Sequence, residues 1–232
     1  MTRRLYPTLE EPIDLELAYA YVPDAQGVTQ PRVRANMVAT VDGAASGSDG
    51  LSGSISGAAD KMIFATLRRL ADVVLVGAGT ASSEAYRPAA LPIAVVSAHL
   101  GMDLGSPLYR GAEHRTILIT CESAPADRLD QARQVADVEM CGDDRVDLDS
   151  ALGALAARGF DRVLCEGGPS LLRQLAADGL LDELCLTTAP RLAGPGPGRI
   201  LRGEPLPAGV QLSLTQLIED QGWLFARYAV RS

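Results

Sequence analysis

Apolar and polar positions along this chain change period several times, and each change marks an element. From Arg32 the run VRANMVATV reads as a strand, which Asp42-Gly43 ends. A loop of small residues, AASGSDGLSGSISG, follows to about Gly57. Its place between a strand and a helix inside one domain suggests a binding loop or lid rather than a linker. Ile63, Leu67 and Leu70 then fall at helical spacing, with Ser56 or Gly57 as the cap and Asp60 in the first turn. Asp72 to Val76 is apolar after its first residue and predicts a central strand. Residues 92–97 and 116–120 predict two more strands, 126–135 a helix, Val138 a short strand, and 148–158 a helix that Gly159 ends. Val163-Leu164-Cys165 reads as a buried strand broken by Glu166-Gly167-Gly168-Pro169. A helix starts at Pro169, buries Leu171, Leu172 and Leu175, and stops at Gly179. Leu184 to Thr188 closes this β-α-β unit.

Residues 190–209 are rich in proline and glycine and predict no regular element except near Ile200. Val210, Leu212 and Leu214 alternate with polar residues, Trp223 to Val230 alternates again, and Asp220-Gln221-Gly222 makes the turn between them. Alternating strands and helices imply an α/β fold: a mixed, mostly parallel sheet with helices on both faces, completed by a C-terminal antiparallel hairpin. Residues 1–31 read as an N-terminal extension with a short helix from Pro12 through Leu15 and Ala18, ending before Pro23. Residues 32–232 read as a single domain.

Composition narrows the function classes. The 232 residues are 47% apolar and 22% charged, an ordinary globular balance. A net charge of −8 argues against a nucleic-acid or anionic-membrane surface. No apolar run approaches the roughly 20 residues of a membrane span, and MTRRLYPTLEEP has no apolar core of a signal peptide, so a cytoplasmic protein is expected. The four cysteines sit singly, away from any histidine pair, which predicts buried thiols and no metal site.

Two glycine turns carry the candidate chemistry. Gly77-Ala78-Gly79-Thr80 and Glu166-Gly167-Gly168-Pro169 each follow a strand. The second opens a helix, whose free N–H groups and macrodipole favour an anion. Glu166 at the carboxyl end of a buried strand faces the crevice where open α/β sheets bind ligands. An ordinary dinucleotide fingerprint does not fit: VLVGAGTASSEAY is GxGxxS, and the next strand ends in Ser97 rather than an acid. A serine there tolerates a 2′-phosphate and points weakly to NADP over NAD.

Five ordered segments carry a resemblance: ATVDGAA (39–45), SGSISG (52–57), LRRLADVVLVGAGT (67–80), LCEGGPSLL (164–172) and GLLDELCLTTAPRLAG (179–194). With their spacing they resemble the reductase domain of riboflavin biosynthesis, a stand-alone form with a dihydrofolate-reductase-like fold. The resemblance implies an NADPH-dependent enzyme that reduces the ribosylamino group of a pyrimidine 5′-phosphate to ribitylamino. It implies cofactor contacts at Ser54, Thr80, Glu84, Ser97 and the Gly168-Pro169-Ser170-Leu171 backbone, with Gly77, Gly79 and Gly167 shaping the turns. Substrate is expected near Asn36, Ser52, Arg68, Arg87 and Glu166, with Arg68 on the phosphate. Glu166 is expected to hold and polarise substrate, while Asp42 is either a site residue or a turn-former. The family is commonly dimeric, and the edge of the final hairpin offers a route to pairing.

Three departures qualify the resemblance. The zinc-deaminase signatures H-x-E and P-C-x-x-C of bifunctional members are missing, so no deamination is expected. Asn36 stands where many members have lysine, and Ser54 where many have tryptophan. The alternatives are a pterin reductase such as one acting on dihydrofolate, or an NADPH-binding protein without catalysis.

Overall fold

A single sheet runs through the protein. The computed structural model describes residues 2–21, 31–111, 113–206 and 208–231. Among these, ten strands pair: β1 (Arg3–Tyr6), β2 (Arg32–Thr40), β3 (Val73–Gly77), β4 (Ile93–Val96), β5 (Ile117–Thr120), β6 (Asp137–Met140), β7 (Arg162–Cys165), β8 (Glu183–Ala189), β9 (Leu212–Asp220) and β10 (Trp223–Val230). Their order is β1-β9-β10-β8-β2-β7-β3-β4-β5-β6. From β8 to β6 every pairing is parallel, and β8-β10, β10-β9 and β9-β1 are antiparallel. The expected mixed, mostly parallel sheet with a C-terminal hairpin is what forms.

Six helices flank it: α1 (Leu15–Tyr19), α2 (Ala58–Leu70), α3 (Ala78–Ser83), α4 (Ala126–Val135), α5 (Leu148–Ala157) and α6 (Pro169–Ala177). Strand side chains alternate across the sheet, so each central strand feeds two cores. Val33, Ala35, Val73, Leu75, Val163 and Cys165 pack under α5 and α6. Val74, Val76 and Leu118 face α3 and α4 on the other side, and Leu164, Ile218 and Phe225 face α1 and α2. Helix α6 buries Leu171, Leu172 and Leu175, each worth ~1.5–3 kcal/mol over an exposed position.

Two features depart from the sequence reading. Strand β1 was not expected, because its four residues RRLY carry two charges and no clear alternation. It lies along the Leu217–Glu219 end of β9, with Arg3 bonded to Glu219 at 2.8 Å, so that part of the hairpin's outer edge is covered. The second is a buried ion triad behind α1. Arg34 and Glu183 meet at 2.6 Å, and Arg227 reaches the other Glu183 oxygen at 2.7 Å. Both arginines also donate to carbonyls at the end of α1, Arg34 to Tyr19 and Arg227 to Ala18. Charges this buried require such partners, and these ones fasten α1 to the sheet.

Candidate active site

Strands β3 and β7 are parallel neighbours, so the glycine turns that follow them lie side by side. The Gly77 N–H donates to the Gly167 carbonyl at 2.8 Å and ties one turn to the other. Gly167 has φ +83°, a left-handed conformation that favours glycine. Gly168 has an ordinary φ of −70°, but a Cβ there would overlap Thr80 Oγ1. Pro169 then opens α6, whose N-terminus has no side-chain cap and keeps its first-turn donors available.

Glu166 follows β7 directly. Its side chain is 2% exposed and its charge is met by Arg68 from α2: Nε to Oε1 at 2.7 Å and Nη2 to Oε2 at 2.7 Å. This is the bidentate fork geometry that suits arginine and carboxylate. The Tyr86 hydroxyl donates to Oε2 at 2.6 Å. Arg68 also lies over the Phe64 ring at 4.4 Å and near the Tyr86 ring at 5.5 Å, contacts that add cation–π attraction. Burial, reinforced by the Glu166 charge, pushes the Tyr86 phenol well above its ordinary pKa, so it stays a donor. Arg68 spends two of its five N–H donors on Glu166.

These groups open onto a cleft of about 800 Å³. Asn36, Ser52, Arg68, Arg87 and Glu166 line it, as do Gly77, Gly79, Thr80, Glu84 and the Gly168–Leu171 turn. Glu84 has a visible local duty: it accepts the Ser52 N–H at 2.7 Å and pins the small-residue loop over α3.

The remaining expected residues lie off the cleft lining. Gly167 is the support beneath it. Asp42 is exposed and accepts from Thr40 Oγ1 and from the backbone N–H groups of Ala193, at 3.1 Å, and Gly194, at 2.8 Å. Those bonds pull its carboxyl down to about 2. In the structure this carboxylate ties the 190s segment to the end of β2, the turn role that the sequence also allowed. Ser97 Oγ accepts the Leu100 N–H at 3.0 Å and shapes a turn. Ser54 Oγ sits 2.9 Å from both the Asp49 carboxylate and the Leu51 carbonyl, inside its own loop.

Sequence reading missed Tyr86, Phe64, Lys61, Arg199 and Arg202, all of which line the cleft. Phe64 and Lys61 had a signal, because they lie one and two turns before Arg68 on α2. Arg199 and Arg202 come from the proline- and glycine-rich segment, where periodicity is silent. That segment reaches the site because Gly198 accepts the Ala45 N–H and Pro169 accepts the Arg202 N–H.

Known proteins are similar to this chain in sequence and in fold. The 2,5-diamino-6-ribosylamino-4(3H)-pyrimidinone 5′-phosphate reductase of Methanothermobacter thermautotrophicus is 32% identical over 183 residues, 74% of this chain and 83% of that one. The reductase of the same name from Archaeoglobus fulgidus is 27% identical over 71% of this chain and 83% of its own. A crystal structure of a pyrimidine reductase-like protein from Corynebacterium diphtheriae superposes with a TM-score of 0.82 at 27% identity, over 95% of this chain and all of that one. The RibD of Acinetobacter baumannii, 18% identical with a TM-score of 0.73, shares the fold over 88% of this chain and 59% of its own. The family model described as the RibD C-terminal domain matches residues 31–222, and the chain belongs to that family.

Proposed function

We propose that this protein is an NADPH-dependent reductase that converts a ribosylamino-pyrimidine 5′-phosphate to its ribitylamino form. The observation that carries the reading is the meeting of the two glycine turns, Gly77 to Gly167, beside the Glu166–Arg68 pair in one cleft. The names of the similar reductases point to the undeaminated 2,5-diamino pyrimidinone as the substrate.

The cleft residues fit a dinucleotide. The uncapped start of α6 offers backbone N–H groups to a pyrophosphate, and the Gly168–Thr80 contact leaves that turn flat enough for close approach. Bound NADPH supplies a hydride. Opening the ribosyl ring to a ribityl chain adds that hydride at the sugar carbon and a proton at the released oxygen. The chain's part is orientation: Glu166 accepts a hydrogen bond from substrate, and the free donors of Arg68, with Lys61 and Arg199, meet the phosphate. Asn36 Oδ1 is buried without a hydrogen-bond partner. The same amide carries donor N–H groups, so Asn36 can offer either kind of polar contact to a pyrimidine ring.

We assign the protein to the cytoplasm; no helix among the described residues is long and apolar enough to cross a membrane. We also propose a homodimer. With β1 on the Leu217–Glu219 end of the hairpin edge, the surface we assign to it is the sheet face where Leu212, Leu214 and Leu224 stay exposed.

The test is NADPH oxidation by the purified protein with the diamino and the deaminated pyrimidine phosphates and dihydrofolate in parallel. Turnover of the diamino compound is the expected result. Turnover of dihydrofolate alone would redirect the site to a pterin, and no turnover with tight NADPH binding would leave a binding protein. Glu166→Gln is expected to keep NADPH binding and lose most turnover; full activity would remove Glu166 from the mechanism.

A further inference from the structure

Counting donors on Glu166 gives more than an ion pair. Oε2 takes two, Arg68 Nη2 at 2.7 Å and the Tyr86 hydroxyl at 2.6 Å. Oε1 takes one, Arg68 Nε at 2.7 Å. Each carboxylate oxygen has two lone-pair sites, so Oε2 is full and the open acceptor site is on Oε1. Arg68 alone would leave one site on each oxygen, and substrate could dock in two registers. The Tyr86 hydroxyl closes one of them.

We propose that Tyr86 is a positioning residue: by occupying Oε2 it forces substrate onto Glu166 Oε1. This rests on the reductase reading of the cleft. Tyr86 acts through Glu166 and carries no proton of the reaction itself. Two further observations suit the role. The Tyr86 ring also lies 5.5 Å from the Arg68 guanidinium, which Phe64 of α2 contacts at 4.4 Å, so both donors to Glu166 pack on each other. The phenol is also held protonated by burial and by the carboxylate, so it donates across the working pH range. The other charged cleft residues, Asp60 and Lys61 on α2, Glu84 and Arg87 beyond α3, and Arg199 and Arg202, make no hydrogen bond to Glu166 in the structure.

The experiment is a double-mutant cycle on the full chain with Tyr86→Phe, Glu166→Gln and both together. NADPH oxidation with the diamino pyrimidine phosphate is followed for kcat and KM, and NADPH binding by fluorescence. Tyr86→Phe opens the second register, so kcat and KM are expected to fall together, by about 2-fold or more, with kcat/KM and NADPH binding nearly unchanged. On the Glu166→Gln background the same change is expected to leave both kcat and KM where they were. A loss in kcat/KM of the same size on both backgrounds would overturn the proposal and leave Tyr86 as packing.

A second readout needs no substrate. In protein carrying ¹³C-labelled glutamate, the Glu166 carboxyl resonance at pH 7 is expected to move in Tyr86→Phe, because the hydroxyl bonded to Oε2 is gone. If the parent chain fails to turn over any pyrimidine, the reductase reading falls. The carboxyl resonance still decides whether Tyr86 acts on Glu166, and an unchanged resonance overturns it.

Discussion

Thr80 Oγ1 occupies the space that a Cβ on Gly168 would take. The φ of −70° and ψ of −173° at Gly168 do not by themselves demand glycine, whereas this hydroxyl is a contact that any side chain there would meet. Gly168→Ala is expected to cost about 1–3 kcal/mol of stability through overpacking and to weaken NADPH binding. Thr80 Cβ would stand 3.5 Å from the new methyl, an ordinary contact. Adding Thr80→Ala to the variant is therefore expected to restore most of the loss. Chemical denaturation of the two variants checks this, and a double variant no better than Gly168→Ala would refute it.

Glu183 between Arg34 and Arg227 makes stability depend on acid. Burial raises its pKa, but the two guanidinium groups outweigh burial and hold the carboxyl below its ordinary range. A folded pKa below the unfolded one contributes stability that is complete above about pH 4.5 and drains away as the pH falls through the folded value. Glu183→Gln leaves two buried arginines without a counter-charge, which costs about 3–5 kcal/mol at pH 7. Urea unfolding at pH 7 and at pH 4 is expected to show the gap between variant and parent narrowing in acid. A small, pH-independent gap would mean that the triad is not what holds α1.

Asp42→Ala tests the turn role of that residue. With the bonds to Ala193 and Gly194 gone, the segment carrying Arg199 loosens, and substrate KM is expected to rise several-fold while kcat changes little. Asp42→Asn keeps one acceptor oxygen and is expected to fall between. A steep loss of kcat at unchanged KM would return Asp42 to catalysis.

Burial pushes the thiols of Cys165 and Cys185 up to about 12. At pH 8 both are expected to resist alkylation in the folded protein and to react at once in denaturant. Fast modification of either in the native state would show that the sheet opens locally beneath α6 or α2.

Much of this was legible in the sequence because its causes are local. The helices over 126–135 and from Pro169 carry their own periodicity and end signals, and the chain folds accordingly. The glycine turns were legible for the same reason. The rest depends on partners far away in sequence. Arg34 reads as one polar position in a strand until Glu183, 149 residues later, is placed beside it. Strand β1 is a strand because β9 offers an edge, and RRLY alone says nothing of that. Tyr86 follows a short helix in a stretch without pattern, and becomes part of the site when β3 and β7 pair and bring Glu166 within reach. Asp42 reads two ways in the sequence because a turn aspartate and a catalytic one look alike without a view of what they bond.

The position of β2 between β7 and β8 has a consequence for how the protein is made. The first strand of the family-matched region gains its first neighbour only when the chain has been synthesised past Cys165, and its second only past Ala189. Strand β1 waits longer still, since Arg3 and Glu219 are 216 residues apart. Such non-local pairing slows folding and leaves apolar strands uncovered during translation. For this protein, yield in an expressing cell will be governed by how long VRANMVAT stays bare, and slower growth or chaperone supply will raise it more than any added surface charge.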